Sequence, residues 1–218
     1  MFLERIQGDI CGPIHPPCGP IHPPCGPFRY FMVLIDACSK WSHVCLLSTR
    51  NIAFARLLAE IIKLRAQFPD YTIKRVRLDN AGEFTSQAFN DYCMSTGIIV
   101  EHHVAHVHTQ NGLAESLIKR LQLITRPLIM RTKLPISVWG HAILHATSLI
   151  RIRPSAYHKY SPLQLAFSQE TNISISEFLV VQYMYPLCHL SAQKWVLNED
   201  WEFMLGLKHP QLLDILNL

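Results

Sequence analysis

The sequence lacks the features of a membrane, secreted or disordered protein. Its uncharged apolar runs are short, for example Phe31 to Ile35, and none could form a transmembrane helix. The first residues, MFLERIQGD, include Glu4 and Arg5 and contain no apolar segment of a secretory signal. Only 17% of the 218 residues are charged and 49% are apolar, which is enough for a packed core and excludes disorder for most of the chain.

The cysteines do not form the framework of a small secreted protein. Their number, seven, is odd, and three of them lie in a short repeat, so we expect a reducing location, the nucleus and cytoplasm. The repeat is Cys11-Gly-Pro-Ile-His-Pro-Pro17, followed by the same seven residues and then by Cys25-Gly-Pro. Its prolines predict a loop. The Cys and His spacing would allow a zinc site, but the prolines repeat as faithfully as the ligand types, which favours a duplicated loop.

Acidic residues are absent between Ser116 and Gln169. A basic surface without interspersed acids indicates a polyanionic partner, most simply nucleic acid, although a solvated basic face is the alternative. The net charge has the opposite sign near the end of the chain, because residues 172–218 hold 2 Lys and Arg against 5 Asp and Glu. The basic residues of the acid-free stretch are Lys119, Arg120, Arg126, Arg131, Lys133, Arg151, Arg153 and Lys159.

Hydrophobic periodicity predicts an α/β protein with a mixed five-stranded sheet flanked by helices. Asn51 is predicted to cap the first helix, Gly97 to end the second in a left-handed conformation, and Pro127 to kink or end the third. The predicted strands are 4–9, 28–37, 41–47, 73–78 and 98–101, and the predicted helices are 51–68, 85–95, one from about 111 and one from 135.

This arrangement of strands and helices indicates three carboxylates as candidate metal ligands. Asp9 and Asp79 end predicted strands, and Glu115 lies in the first turns of the third helix. Carboxylates at such positions can meet at one edge of a sheet, where oxygen ligands hold Mg²⁺ for phosphoryl transfer. The alternative for a single Asp at a strand end is a turn or cap residue. Asp36 also ends a strand, and we expect it to have a structural role.

The segments around these carboxylates resemble the three catalytic motifs of copia-type LTR retrotransposon integrases. They are Gly8-Asp-Ile-Cys-Gly-Pro13, Arg77-Leu-Asp-Asn-Ala-Gly-Glu-Phe84 and Thr109-Gln-Asn-Gly-Leu-Ala-Glu-Ser116, and 35 residues separate the second acid from the third, as in that family. The resemblance covers residues 4–174. It implies a ribonuclease-H-like integrase core in which Asp9, Asp79 and Glu115 hold Mg²⁺ or Mn²⁺.

The resemblance also implies activity and partners. It implies DNA cleavage and transfer of a DNA 3′-hydroxyl onto target DNA, so the expected partners are the element ends, target DNA and further copies of the chain. By the same resemblance, Asn111 and Lys119, one helical turn on either side of Glu115, are candidate DNA contacts, with Arg120 beside them. An ordinary solvated helix surface is the alternative for these three.

The ends of the chain depart from the family. Only eight residues precede Asp9, too few for the family's zinc-binding domain, so we expect Met1 to be an internal methionine of a longer polyprotein. We expect residues 1–170 to form the core and 171–218 to be a poorly ordered tail outside the ancestral reading frame. One codon choice for Ser176–Met184, SEFLVVQYM, read from its third base, encodes RIFGCAVY, which resembles the family's segment at this point.

Two functions therefore remain open at this stage. The first is a metal-dependent integrase catalytic core, favoured by the three acids. The second is a catalytically inactive nucleic-acid-binding remnant of a retrotransposon polyprotein, favoured by the missing domain and the altered tail. A ribonuclease H is disfavoured by the 35-residue interval and by the Gln-Asn-Gly-Leu-Ala-Glu motif.

Overall fold

The computed structural model describes residues 2–19, 27–78, 87–102, 111–132, 135–154 and 159–168. Asp79 and the predicted tail, residues 171–218, lie outside these ranges, so the domain division stays a prediction. No helix within these ranges is long and apolar enough to cross a membrane.

The strands are β1 Arg5–Cys11, β2 Tyr30–Asp36, β3 Ser42–Leu47, β4 Arg75–Leu78 and β5 Ile99–His102. The helices are α1 Ala53–Gln67, α2 Gln87–Ser95, α3 Gly112–Thr132, α4 Trp139–Ile152 and α5 Pro162–Phe167.

The five strands form one mixed sheet in the order β3-β2-β1-β4-β5, which confirms the predicted fold class. The first three strands are antiparallel, and β4 and β5 run parallel to β1 and to each other. In the register of the central pair, Gly8 of β1 lies opposite Leu78 of β4. The carboxyl ends of β1 and β4 therefore lie at the same edge of the sheet.

Each face of the sheet has its own hydrophobic core, because side chains along a strand alternate between faces. One core joins strand residues such as Ile6 and Leu34 to α1 and α2. The other joins strand residues such as Phe31 and Val33 to α3 and α4. Helix α3 supplies every third or fourth residue to this second core, which is why the apolar stripe predicted the helix correctly.

Three local predictions need correction or addition, and a fourth is confirmed. Pro127 does not end α3, which continues to Thr132. Pro127 has no N–H to donate to the carbonyl of Leu123, and Leu123 lies on the exposed side of the helix. Asn51 is not the cap of α1, since a short 3-10 turn over Arg50–Ile52 precedes that helix. The capping box of Ser161 and Gln164 starts α5, a helix absent from the prediction. Gly97 has a φ of 71°, as predicted.

After Cys11, the last residue of β1, the described part of the repeat up to residue 19 is a loop, but it contributes to the core. Cys18 is completely buried and forms a β-bridge with Phe28. A Cβ atom built on Gly140 of α4 would lie 2.8 Å from the Cys18 Sγ atom, so the loop packs directly on that helix. The indole N–H of Trp139 donates to the carbonyl of Pro16 over 3.0 Å.

Candidate active site

Asp9 lies near the carboxyl end of β1 on the sheet face that α3 covers. Two residues later, on the same face, Cys11 packs against the α3–α4 core, and its sulfur lies 3.4 Å from the Gln122 amide nitrogen of α3. The Asp9 carboxylate is half-buried, and its Oδ1 atom accepts a hydrogen bond from the backbone N–H of Ile10 over 2.7 Å. The Asp9 side chain therefore has a fixed place and remains reachable by solvent.

The Cys11 thiol lies at the same strand end as Asp9. Burial raises the pKa of the Cys11 thiol, and the negative charge of Asp9 raises it further. Cys11 is therefore a neutral thiol beside the carboxylate at neutral pH.

Gly8, the residue before Asp9, is required by close packing on the opposite face. A Cβ atom at this position would lie 2.8 Å from the Leu34 Cδ2 atom and 2.9 Å from the Leu78 Cδ2 atom. Both distances are shorter than ordinary van der Waals contact. The absence of a side chain thus lets Leu34 of β2 and Leu78 of β4 pack over β1 at the residue before Asp9.

A buried hydrogen bond fixes the start of α3 to the same point of β1. The Asn111 side-chain N–H₂ group donates to the backbone carbonyl of Gly8 over 3.0 Å, and Asn111 is only 2% exposed. One turn later, the backbone N–H of Glu115 donates to the carbonyl of Asn111 over 3.1 Å. The half-buried Glu115 is therefore held on the α3 side of the sheet, the side of Asp9.

Asp79 directly follows β4 but lies outside the described residues. The structure gives the place of its neighbour, Leu78, which pairs with Gly8. In the sequence, Asp9 and Asp79 therefore come directly after Gly8 and Leu78, the two residues that pair across β1 and β4. Convergence of all three acids on one metal site stays a prediction.

The predicted DNA contacts differ in exposure. Lys119 and Arg120 are exposed on α3 and, within the part of the chain that the structure describes, pair with no carboxylate. Asn111 is buried, and the structure gives its amide a positioning role that sequence reasoning missed. An Asn just before a helix is a common sequence feature, so only the contact with Gly8 reveals this role. Contact of these three residues with DNA stays a prediction.

Two other acidic residues have structural partners. Asp36, as predicted, is structural: it is 2% exposed and accepts from the backbone N–H groups of Leu3 and Ser39 and from the Ser39 hydroxyl. Glu101 of β5 binds the guanidinium groups of Arg5 and Arg77 across three neighbouring strands. Burial opposes the charge of Glu101, but these two arginines outweigh it and lower the pKa of Glu101.

Comparisons with known proteins place the sequence among integrases. Residues 3–107 match the Integrase core domain family. The chain is 33% identical over 153 residues to the Retrovirus-related Pol polyprotein from transposon TNT 1-94 of Nicotiana tabacum, an alignment covering 70% of this chain and 11% of that polyprotein. The chain thus spans about a tenth of the length of this relative.

Solved structures that share the fold include an intasome and an integrase catalytic core domain. One is the simian T-cell lymphotropic virus intasome in complex with PP2A regulatory subunit B56 gamma, with a TM-score of 0.59 and 20% identity over 78% of this chain and 56% of that chain. The other is the HTLV-2 integrase catalytic core domain in complex with magnesium, in a trimeric form, with a TM-score of 0.55 and 16% identity over 75% of this chain and 95% of that chain.

Proposed function

The chain belongs to the integrase core family, and we propose that it forms the catalytic core of an enzyme that cleaves DNA and transfers a DNA 3′-hydroxyl onto target DNA. The observation that carries this proposal is the hydrogen bond from Asn111 to the carbonyl of Gly8. It ties the helix that bears Glu115 to the strand that bears Asp9. Asp79, which follows the partner of Gly8 in β4, is the proposed third acid.

The residues present fit a hard divalent cation, Mg²⁺ or Mn²⁺. Asp9 and Glu115 offer carboxylate oxygens, the ligand type that Mg²⁺ prefers, and both are half-buried, so water and phosphate oxygens can complete the coordination. When bound, a pair of such ions would favour in-line displacement at a phosphodiester by activating the attacking oxygen and stabilising the leaving one.

The chain's own side chains position and attract the substrate. Asn111 fixes the start of α3, from which Glu115 extends, and the Ile10 N–H group fixes one oxygen of Asp9, so the Asp9 carboxylate needs little reorganisation before reaction. Lys119 and Arg120, further along α3, provide positive charge for the phosphates of the bound DNA. Because these contacts are with the sugar-phosphate backbone of the DNA, little sequence preference is expected in the target DNA.

The partners and location follow from this activity. The proposed partners are the element ends, target DNA and further copies of this chain, and the intasome and trimeric forms of the two structural relatives support an assembly. We place the protein in the nucleus and cytoplasm, since an integrase must reach chromosomal DNA.

A strand-transfer assay tests the proposal. Purified protein should join a labelled element-end duplex to plasmid DNA in Mg²⁺ or Mn²⁺, whereas Asp9→Asn, Asp79→Asn and Glu115→Gln should each reduce joining to background, because a neutral amide binds these ions far more weakly. Asp91→Asn, at an exposed position of α2, is the matched control and should leave joining unchanged. DNA binding without joining in either ion would contradict the proposal and indicate a binding remnant.

A further inference from the structure

A second group of metal-ligating side chains lies away from the carboxylates, between β3 and α1. His43 and Cys45 are two residues apart on β3, so they share one face of the sheet. Glu60 reaches them from α1, which covers that face. The His43 and Glu60 side chains are 23% and 13% exposed, and Cys45 is half-buried.

The three donor atoms converge closely enough for one ion. The His43 Nε2 atom lies 2.9 Å from the Glu60 Oε2 atom, and the Cys45 Sγ atom lies 3.6 Å from Glu60 Oε1. All the donor atoms lie within 4.8 Å of one another. Ligands at ordinary Zn–N, Zn–O and Zn–S distances in a tetrahedron are about 3.3–3.7 Å apart, so small side-chain adjustments complete the site.

One oxygen of this group is buried beside His43. Glu60 Oε2 lies 2.9 Å from His43 Nε2, and this contact is an ion pair when His43 is protonated. A buried carboxylate oxygen is unfavourable unless a positive charge accompanies it. Its position beside a ring nitrogen and a sulfur is that of an oxygen that shares a cation with them.

We propose that His43, Cys45 and Glu60 bind a Zn²⁺ ion that links the edge strand β3 to α1. Zn²⁺ accepts nitrogen, sulfur and carboxylate ligands together, and its fourth position would hold water. The thiolate and the carboxylate supply two negative charges, which balance the ion. Binding releases the Cys45 thiol proton to solvent. This site is independent of the proposed integrase activity.

The metal-free alternative is a group in which protonated His43 pairs with Glu60 and Cys45 donates a hydrogen bond to it. Burial, together with the nearby Glu60 charge, raises the pKa of Cys45 to about 12, so without an ion Cys45 is a thiol that donates to Glu60. Arg56 and Lys63, exposed on α1, add positive charge nearby and disfavour a cation with fewer than two anionic ligands. The proposal therefore requires the Cys45 thiolate, which makes a spectroscopic test possible.

Co²⁺ substitution in the full chain is that test. With excess Mg²⁺ present to occupy the oxygen-ligand site, Co²⁺ should produce a thiolate-to-cobalt charge-transfer band, and Zn²⁺ should abolish it by displacement. Cys45→Ser should lose the band. Cys38→Ser, at an exposed cysteine outside the group, is the matched control and should keep it.

A second variant and a stability measurement complete the design. His43→Gln keeps the thiol but should weaken Zn²⁺ binding at least about tenfold, since even loss of a group that only supports a ligand costs about 10- to 100-fold in affinity. Zn²⁺ should raise the melting temperature of the unaltered chain but not of Cys45→Ser, with circular dichroism confirming that both fold. A band that persists in Cys45→Ser, or no band and no zinc-dependent stabilisation in the unaltered chain, would overturn the proposal. Strand transfer in Mg²⁺ is measured separately, so the two proposals fail independently.

Discussion

Replacing Asn111 by Ala should separate the positioning of Glu115 from contact with DNA. In the structure, the Asn111 amide donates to Gly8 and is almost completely buried, which leaves little surface for a ligand. The variant removes the bond between α3 and β1 but retains the exposed Lys119 and Arg120. We therefore expect catalysis to fall while DNA affinity is preserved.

The magnitude follows from one lost hydrogen bond and a small displacement. A buried hydrogen bond contributes about 1 kcal/mol net, and an unmatched carbonyl adds up to about 2 kcal/mol. Asn111 Oδ1 is already without a hydrogen-bond partner among the described residues, so its removal offsets part of this. We expect a loss of about 1–2 kcal/mol, or roughly 2–8 °C in melting temperature for a domain of this size. A shift of about 1 Å at Glu115 would reduce the joining rate by about 100-fold.

The assay compares single-turnover strand transfer with DNA affinity at the same salt concentration. Ser116→Ala, an exposed change on the same helix, is the control and should alter neither quantity. Asn111→Asp keeps the size of the side chain but replaces the donor with an acceptor, and it should lower the joining rate as Asn111→Ala does. A joining rate within about twofold of the unaltered chain, together with tenfold weaker DNA binding, would refute the positioning role and indicate a DNA contact.

Three further predictions concern packing, charge and pH. Gly8→Ala should destabilise the fold by about 1–3 kcal/mol in denaturant titrations, because its Cβ atom would overlap two leucine side chains; an unchanged midpoint would contradict this packing. The double variant of Lys119→Ala and Arg120→Ala should weaken DNA binding and reduce the slope of log affinity against log salt by about 2, whereas an unchanged slope would exclude both from the interface. Burial lowers the pKa of His145, so the unfolded chain binds the proton more readily and stability should fall as the pH drops below about 6.5. His145→Gln should flatten this dependence in thermal melts, and an equally steep dependence would assign it to other groups.

The sequence predicted the elements whose periodicity is set by burial. The five strands and four of the five described helices follow from alternating or helical apolar patterns, and the core they form has those faces inward. Local signals alone were less decisive. Pro127 breaks a helix only if the residues around it gain no packing energy by staying helical. Leu121 and Thr125 of the same helix are buried, and their packing holds the helix in place. The capping box of α5 is a local signal for a helix start. The apolar pattern did not reveal this helix, because six residues are too few to show a helical period.

The candidate site was predictable as a set of carboxylates but not as a geometry. Motif spacing identified Asp9 and Glu115, because chemistry restricts which side chains can bind a hard cation. It could not identify the Asn111 amide as the link between them, since an amide bonds equally well to many backbone groups. The grouping of His43, Cys45 and Glu60 was equally hidden, because it requires α1 to pack on a particular face of β3.

The Gly8-Asp9 pair shows how the two cores of the sheet act on one site. Because successive side chains of a strand face opposite ways, Asp9 faces α3 only while Gly8 faces the α1–α2 core. A one-residue slip of β1 would place the carboxylate in that apolar core and a glycine at the site. Leu34 and Leu78 fill the space that a side chain at residue 8 would occupy. The strand register that exposes Asp9 is therefore the same register that lets these two leucines pack over Gly8. The position of the candidate catalytic carboxylate is therefore fixed by hydrophobic packing on the opposite side of the sheet, which α1 and α2 cover.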